Sequence, residues 1–290
     1  MRITTQYVLP HKFICWLAGI SANCKIVFIK NFLISYFIKR YAVNMDEAIE
    51  PNPFAYASYN LFFTRKLKPE CRPLASASKA IVSPADGQIA QVGAINDQRI
   101  IQAKAHDYSV QDLLGGDKQL AQHFSNGSFA TIYLAPKDYH RVHMPLAGRL
   151  KKMQYIPGQL FSVNTHAAEN IPNLFARNER VVTIFDTDAG KMAVILVGAM
   201  IVGSIETVWA GTITPPHFET INTWEYDFLE QPIDLDKGAE LGHFKLGSTV
   251  IVLFAPKAVA WDPELQHNMS IKMGQQLGMG LYSDTQYVQS

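Results

Sequence analysis

The stretch Leu246-Gly247-Ser248-Thr249-Val250-Ile251-Val252-Leu253-Phe254 decides how the chain is read, because a Gly-Ser-Thr entry runs straight into five large apolar residues. β-Branched and aromatic side chains suit a pleated strand, and so short an apolar run between turn residues is a strand signal. Residues 88–92, 99–103, 129–134, 181–185, 192–197 and 249–254 share the pattern, each rich in Ile, Val or aromatic residues and bounded by Gly, Pro, Asn or Asp. No strand–helix–strand rhythm accompanies them. The expected fold class is therefore α+β, a mainly antiparallel β core with peripheral helices, one of them around residues 164–176. There is no internal repeat and no low-complexity tract.

Toward the N-terminus the chemistry changes. Between Met1 and Met45 there is no Asp or Glu, while Arg2, Lys12, Lys25, Lys30, Lys39 and Arg40 supply six positive charges; the rest of the chain carries 20 basic against 25 acidic residues. The whole-chain net charge of +1 lacks the cationic surplus of a nucleic-acid footprint, so no nucleic-acid partner is expected. Phe13, Trp16, Leu17 and Ile20 recur at helical spacing, and Val27, Ile34, Phe37 and Ile38 continue an apolar stripe. The longest uncharged run, residues 13–24, falls short of the roughly 20 apolar residues that a membrane span needs. Residues 1–45 are thus expected to form basic amphipathic helices lying on an anionic membrane surface. That makes the chain a peripheral protein of the cell membrane, on its cytoplasmic side, with residues 46–290 as the catalytic domain. A core-facing helix pair would give the same stripe. A signal peptide is disfavoured by Lys25, Lys30 and Lys39 behind the apolar run and by the lack of a small-residue cleavage site.

Pro51, Pro53, Pro69, Pro73 and Pro84 punctuate an extended polar connector between the two parts. Cys15, Cys24 and Cys71 form no C-x-x-C, so the pattern offers neither a disulfide framework nor a zinc site and fits a reducing compartment. Phosphate-loop, zinc-protease and nucleophile-elbow motifs are missing, and Gly278-Met279-Gly280 lacks the third glycine of a dinucleotide site. Three polar clusters remain: Ser83-Pro84-Ala85-Asp86-Gly87, Asp138-Tyr139-His140-Arg141-Val142-His143-Met144-Pro145, and Leu246-Gly247-Ser248-Thr249. Alone, the first reads as a plain turn and the third as a strand entry. His140 and His143 have neither a cysteine nor a third ligand nearby, so no metal is expected. Taken together, an Asp, a His and a Ser are the parts of a proton relay that activates a serine.

These clusters carry a resemblance. With Phe63-Thr64-Arg65 through Arg72-Pro73, Phe161-Ser162-Val163-Asn164, Asn173-Leu174-Phe175-Ala176-Arg177-Asn178-Glu179-Arg180 and Val197-Gly198-Ala199, the chain resembles the bacterial membrane-associated form of the pyruvoyl-dependent phosphatidylserine decarboxylases. The likeness runs from about residue 59 to residue 256, and the tail beyond resembles nothing informative. It implies that Asp86, His143 and Ser248 form a self-cleaving relay that cuts the Gly247/Ser248 bond. The products would be a large chain, 1–247, and a small chain, 248–290, which stay associated, with Ser248 becoming a covalent pyruvoyl cofactor. That ketone would form a Schiff base with the amine of phosphatidylserine and act as electron sink while carbon dioxide leaves, giving phosphatidylethanolamine in phospholipid biosynthesis.

His140 is the candidate for aiding Schiff-base formation or the return of a proton to the α-carbon, on the expectation that it titrates near neutrality. Three other readings stay open. A soluble pyruvoyl-dependent amino-acid decarboxylase would share the cut but have no use for the first 45 residues; a serine hydrolase would keep Ser248 intact; a lipid-binding protein would release no carbon dioxide. Homo-oligomerisation is left open by the sequence.

Overall fold

The computed structural model describes residues 3–103, 106–200, 204–214, 219–245 and 248–283. Nine strands carry the argument: β1 (Gly87–Ala94), β2 (Ser128–Leu134), β3 (Arg141–His143), β4 (Gly148–Ile156), β5 (Arg180–Thr187), β6 (Gly190–Val197), β7 (Ile205–Thr207), β8 (Glu240–Phe244) and β9 (Ser248–Phe254). The central sheet runs β4-β5-β6-β9-β2-β1, with Asn222–Glu225 outside β4 and Ser270–Ile271 outside β1, and every pairing is antiparallel. A second antiparallel sheet, β7-β8-β3, is edged by Gly211–Thr212.

The unbroken apolar run of β9 follows from burial on both faces. Ile251 and Leu253 point into one core and Val250, Val252 and Phe254 into another, so alternation appears as a choice of core rather than as apolar against polar. β6 divides likewise, Ala193, Ile195 and Val197 on one side and Met192, Val194 and Leu196 on the other. Short helices around Leu113, Leu120, Ala167 and Phe175 cover the first face; Val142, Ile205 and Phe244 of the second sheet cover the other. Each fully buried Val, Leu or Phe contributes on the order of 1.5–3 kcal/mol. The sheet between two cores is the rigid platform of the molecule.

The expected helix around 164–176 is split into Thr165–Asn170 and Leu174–Arg177. Asn164 caps the first, accepting from the Ala167 N–H at 2.9 Å. Ile171 precedes Pro172 and is therefore driven into extended backbone, φ −113° and ψ 110°, which ends the helix.

At the N-terminus lie α1 (Ile3–Val8), α2 (His11–Asn23) and α3 (Val27–Tyr41). No single helix among the described residues is long and apolar enough to cross a bilayer; α2 and α3 reach that length together but bend by 111° at their break. The connector folds one further helix, α4 (Tyr59–Phe63), capped by Ser58. Tyr59, Phe62 and Phe63 pack with Ala22, Ile34 and Phe37 into a separate apolar cluster. The α3 stripe thus faces α4, apart from the exposed Val27, whereas the α2 stripe of Phe13, Trp16, Leu17 and Ile20 faces outward.

Gly87 shows how closely β1 approaches its neighbour, since a Cβ there would overlap the Tyr133 carbonyl of β2. Backbone cannot give way as a side chain can. Gly87→Ala is expected to cost about 1–3 kcal/mol, the usual range for overpacking. Thermal melts of the two proteins check it, and an unchanged Tm contradicts the close approach.

Candidate active site

Three segments far apart in sequence meet where β9 begins. Ser248 opens β9 opposite Leu134, the last residue of β2. After β2 the chain turns at 135–138, where the Asp138 carboxylate accepts from the Ala135 N–H at 2.7 Å, and continues through Tyr139 and His140 into β3. β8 ends at Phe244, whose N–H donates to the His140 carbonyl at 3.0 Å. The short link from Phe244 to Ser248 must therefore bridge from His140 to Leu134. Gly247, the expected cut site, and Leu246 belong to this link and lie outside the described residues.

The turn at 83–87 closes the site. Its Pro84 carbonyl accepts from the His143 N–H at 2.8 Å, and the Ser83 N–H donates to the Gln275 carbonyl at 2.7 Å. Asp86 is buried and accepts from Arg72 Nε at 2.8 Å, Arg72 Nη2 at 2.5 Å and the Met273 N–H at 2.9 Å. Arg72 also donates to Glu47 at 2.8 Å and to the Cys71 carbonyl at 2.7 Å. Removing a carboxylate from water costs several kcal/mol, offset only by good geometry and further hydrogen bonds, both present here. Arg72 holds Glu47 below the usual carboxylate range.

The expected relay of Asp86, His143 and Ser248 shows no direct hydrogen bond between its Asp and its His among the described residues. Asp86 is committed to Arg72 and the Met273 amide, and it acts on His143 only through space. The imidazole is oriented instead by the Gly238 carbonyl, 2.9 Å from Nδ1. A carbonyl can only accept, so the partners assign the proton to Nδ1 and the lone pair to Nε2. Tyr139 donates its O–H to that lone pair at 3.1 Å. Burial holds the His143 pKa below its ordinary value, opposed by the Gly238 bond and the Glu240 charge. Burial thus favours the neutral form of His143.

His140 is fully buried, its Nδ1 donating to the Asp138 carbonyl at 2.8 Å and its ring centroid 4.2 Å from that of Phe63. Burial pulls its pKa down to about 3. The expectation that it titrates near neutrality is thus overturned: an imidazolium here would have no water to solvate it. His140 Nε2 has no partner among the described residues, and neither does Ser248 Oγ. One is an acceptor without a donor, the other a donor without an acceptor, and they stand at the two ends of the same short link. Leaving such groups unpaired costs about 1–3 kcal/mol each, which native interiors rarely tolerate without use.

The second sheet is pinned beside the link by charge. Arg141 pairs with Glu240 at 2.5 Å, His243 with Glu206 at 3.0 Å, and Lys245 with Glu206. The sequence reading missed Arg72, Glu47, Gly238 and Met273. Arg72 stood in a quoted motif without a role; the Gly238 and Met273 contacts come from backbone atoms, which carry no sequence signal.

The family model described as phosphatidylserine decarboxylase matches residues 59–279, and a second, described as PSD, matches residues 1–42. Three curated relatives bear the name phosphatidylserine decarboxylase proenzyme. The protein from Pseudomonas putida is 58% identical over 276 residues, covering 95% of this chain and 96% of the relative. That from Pseudomonas fluorescens is 57% identical over 280 residues, covering 96% and 97%. That from Ectopseudomonas mendocina is 57% identical over 277 residues, covering 95% and 96%. The sheet that Ser248 enters at the head of β9 is therefore the core of a chain that belongs to the phosphatidylserine decarboxylase family.

Proposed function

We propose that the chain is a proenzyme that cuts itself before Ser248 and, once processed, decarboxylates phosphatidylserine to phosphatidylethanolamine with a pyruvoyl group made from Ser248. The observation that carries this reading is the burial of Ser248, 1% exposed with its Oγ unpartnered. A hydrolase nucleophile must meet a substrate arriving from solvent. A sealed hydroxyl is suited to the carbonyl that precedes it in its own chain. The relatives' names supply the substrate and the word proenzyme.

In the self-cleavage, Ser248 Oγ loses its proton and attacks the Gly247 carbonyl, forming an ester in place of the peptide bond. Glycine offers no side chain to obstruct the approach. Elimination frees the Gly247 carboxylate, and the residue left at 248 hydrolyses to a ketone with release of ammonia. His143 is the base: its Nε2 carries the lone pair and becomes available when Tyr139 gives up its hydrogen bond. His140 offers a free lone pair too, but burial makes it a far weaker base. Asp86 contributes the negative charge that favours His143 once it is protonated.

A pyruvoyl group fits this position, because elimination carries Ser248 Oγ away in the Gly247 carboxylate, and the ketone that hydrolysis then makes at the α-carbon leaves no buried hydroxyl donor without an acceptor. When formed, the group supplies the electron sink that decarboxylation of an amino acid requires. His140 then serves as a fixed neutral hydrogen-bond acceptor that orients a donor group at the reacting centre. The two product chains stay together through the pairing of β9 with β2 and β6.

We further propose peripheral attachment to the cytoplasmic face of the cell membrane. Supporting it are Phe13, Trp16, Ile20, Val27, Phe28 and Phe32, all more than half exposed on α2 and α3, together with exposed Lys25, Lys39 and Arg40. An outward apolar face of this size is what an interfacial helix inserts into lipid.

Ser248→Ala is expected to remain a single inactive chain, while the native protein yields residues 248–290, about 5 kDa, with a ketone at the amino end of the cut made by nucleophilic attack. Intact mass, Edman sequencing and borohydride reduction decide it; a fragment with an ordinary amino-terminal serine sinks the pyruvoyl reading.

The pH dependence of cleavage follows from His143. Its neutral form is the active one and its folded pKa lies below 6.5, so cleavage should stay fast as pH falls past 6.5 and fail only in more acid solution. Quenched time courses of newly synthesised proenzyme test this, and a rate already halved at pH 7 contradicts it. His143→Ala should not cleave, whereas His140→Ala should cleave at least partly and decarboxylate poorly.

For the membrane, Trp16→Glu with Phe28→Glu should weaken binding to anionic vesicles at least 10-fold, since each inserted side chain contributes roughly 1.5–3 kcal/mol. Native binding should fall with added salt. Sedimentation of the double variant as complete as that of the native chain is the outcome that rejects attachment through this face.

A further inference from the structure

The site described so far gives the substrate amine a partner but leaves a buried cation unused. Arg65 follows α4 directly and is 5% exposed. Its guanidinium lies over the Phe62 ring at 5.6 Å, and its one hydrogen bond among the described residues, Nη2 to the Lys137 carbonyl, is 3.5 Å long, the outer limit of such a bond. Nε is buried without a partner among the described residues. The other buried guanidiniums differ. Arg72 bonds Asp86, Glu47 and a carbonyl; Arg180 bonds the Leu113, Asn178 and Asp112 carbonyls at 2.6–2.8 Å.

A buried guanidinium without an anion is an expensive arrangement. Asp86 and Glu47 attract Arg65 through space, but Arg72 already holds both carboxylates. Position adds to the case. Phe62, beneath the guanidinium, belongs to the apolar cluster built with α2 and α3, and the ring of its neighbour Phe63 packs against His140 at a tilt. The Lys137 carbonyl lies in the turn that delivers His140. Arg65 therefore stands where the outward-facing helices meet the reacting centre.

We propose that Arg65 binds the phosphodiester of the phospholipid substrate, its planar fork donating to the two non-bridging oxygens. The inference rests on the decarboxylase reading and deepens it. A guanidinium suits a phosphodiester by shape as well as charge. The serine carboxylate is the poorer occupant. Its charge must leave with carbon dioxide, so a cation bound to it would stabilise the ground state more than the transition state and slow the reaction. The phosphodiester keeps its charge throughout and lies between the acyl chains and the amine, as Arg65 lies between the helices and His140.

The test uses processed full-length enzyme and the variants Arg65→Gln and Arg65→Lys, with short-chain phosphatidylserine as substrate. Glycerophosphoethanolamine, a diester, and inorganic phosphate serve as probes. Self-cleavage should proceed in both variants. For Arg65→Gln, KM should rise about 10- to 100-fold, the effect of losing one or two charge-assisted hydrogen bonds, with kcat changed far less. Arg65→Lys, which keeps the charge and loses the fork, should fall between. Calorimetry should find glycerophosphoethanolamine binding the native enzyme and not Arg65→Gln. Binding of inorganic phosphate alone would instead make this a free-phosphate site and overturn the proposal, as would an unchanged KM in Arg65→Gln. If both variants fail to fold or cleave, Arg65 is structural and the proposal falls. If native enzyme releases no carbon dioxide, the decarboxylase reading fails separately, and the calorimetric arm still judges the anion site.

Discussion

Everything in the site depends on the double antiparallel pairing of β9. One edge of the strand is hydrogen-bonded to β2 in unbroken register from Ser248–Leu134 to Phe254–Ser128, the other to β6 from Thr249–Val197 to Phe254–Met192. Its side chains enter two cores, so the strand can neither slip by one residue nor leave without opening both. This constraint fixes Ser248 to within the tolerance of a sheet. A self-cutting chain needs such a constraint, because the scissile bond is the only covalent tie being given up. After the proposed cut the small chain would be held by two ladders of hydrogen bonds and two buried faces, and its new end would stay where the serine was.

Charge around that end is divided by function. Asp86 and Glu47 are saturated by Arg72, and Glu240 and Glu206 by Arg141, His243 and Lys245. These networks satisfy their members and hold elements in place. The two histidines are kept neutral by burial, while His143 alone has neighbouring acids that raise its proton affinity. Two histidines three residues apart are thereby given different strengths as bases. The difference comes from what lies around each ring, since both donate Nδ1–H to a backbone carbonyl.

The strands were legible because each apolar run is short and bounded by turn residues, and residues 129–134, 181–185, 192–197 and 249–254 lie within β2, β5, β6 and β9. The helix around 164–176 was legible in place but not in continuity, since Pro172 acts on the residue before it. Less could be read where function depends on partners distant in sequence. The tail beyond residue 256, silent as sequence, forms Val259–Trp261, Ser270–Ile271 and Gln276–Gly280 and delivers the Met273 amide to Asp86. The Asp, His and Ser clusters were visible as residue types; the order in which protons and charges connect them was not. A Gly238 carbonyl outcompetes a carboxylate for His143, and nothing in the letters of the chain announces it.

The α4 segment joins the two halves of the proposed function. Phe62 and Phe63 share the apolar cluster of α2 and α3, yet Phe63 also packs against the His140 ring, and the Thr64 carbonyl accepts from Arg141 at 2.9 Å. A helix of one turn thus forms a wall common to the outward-facing apolar surface and to the reacting centre. A lipid substrate has the same division, apolar chains at one end and a charged headgroup at the other. Drawing such a headgroup wholly into a protein would expose its acyl chains to water at about 0.8 kcal/mol per methylene. On the proposed attachment, a reacting centre set against the back of those helices would avoid that cost, because the acyl chains could stay on the apolar side of α2 and α3 while the headgroup alone entered the protein.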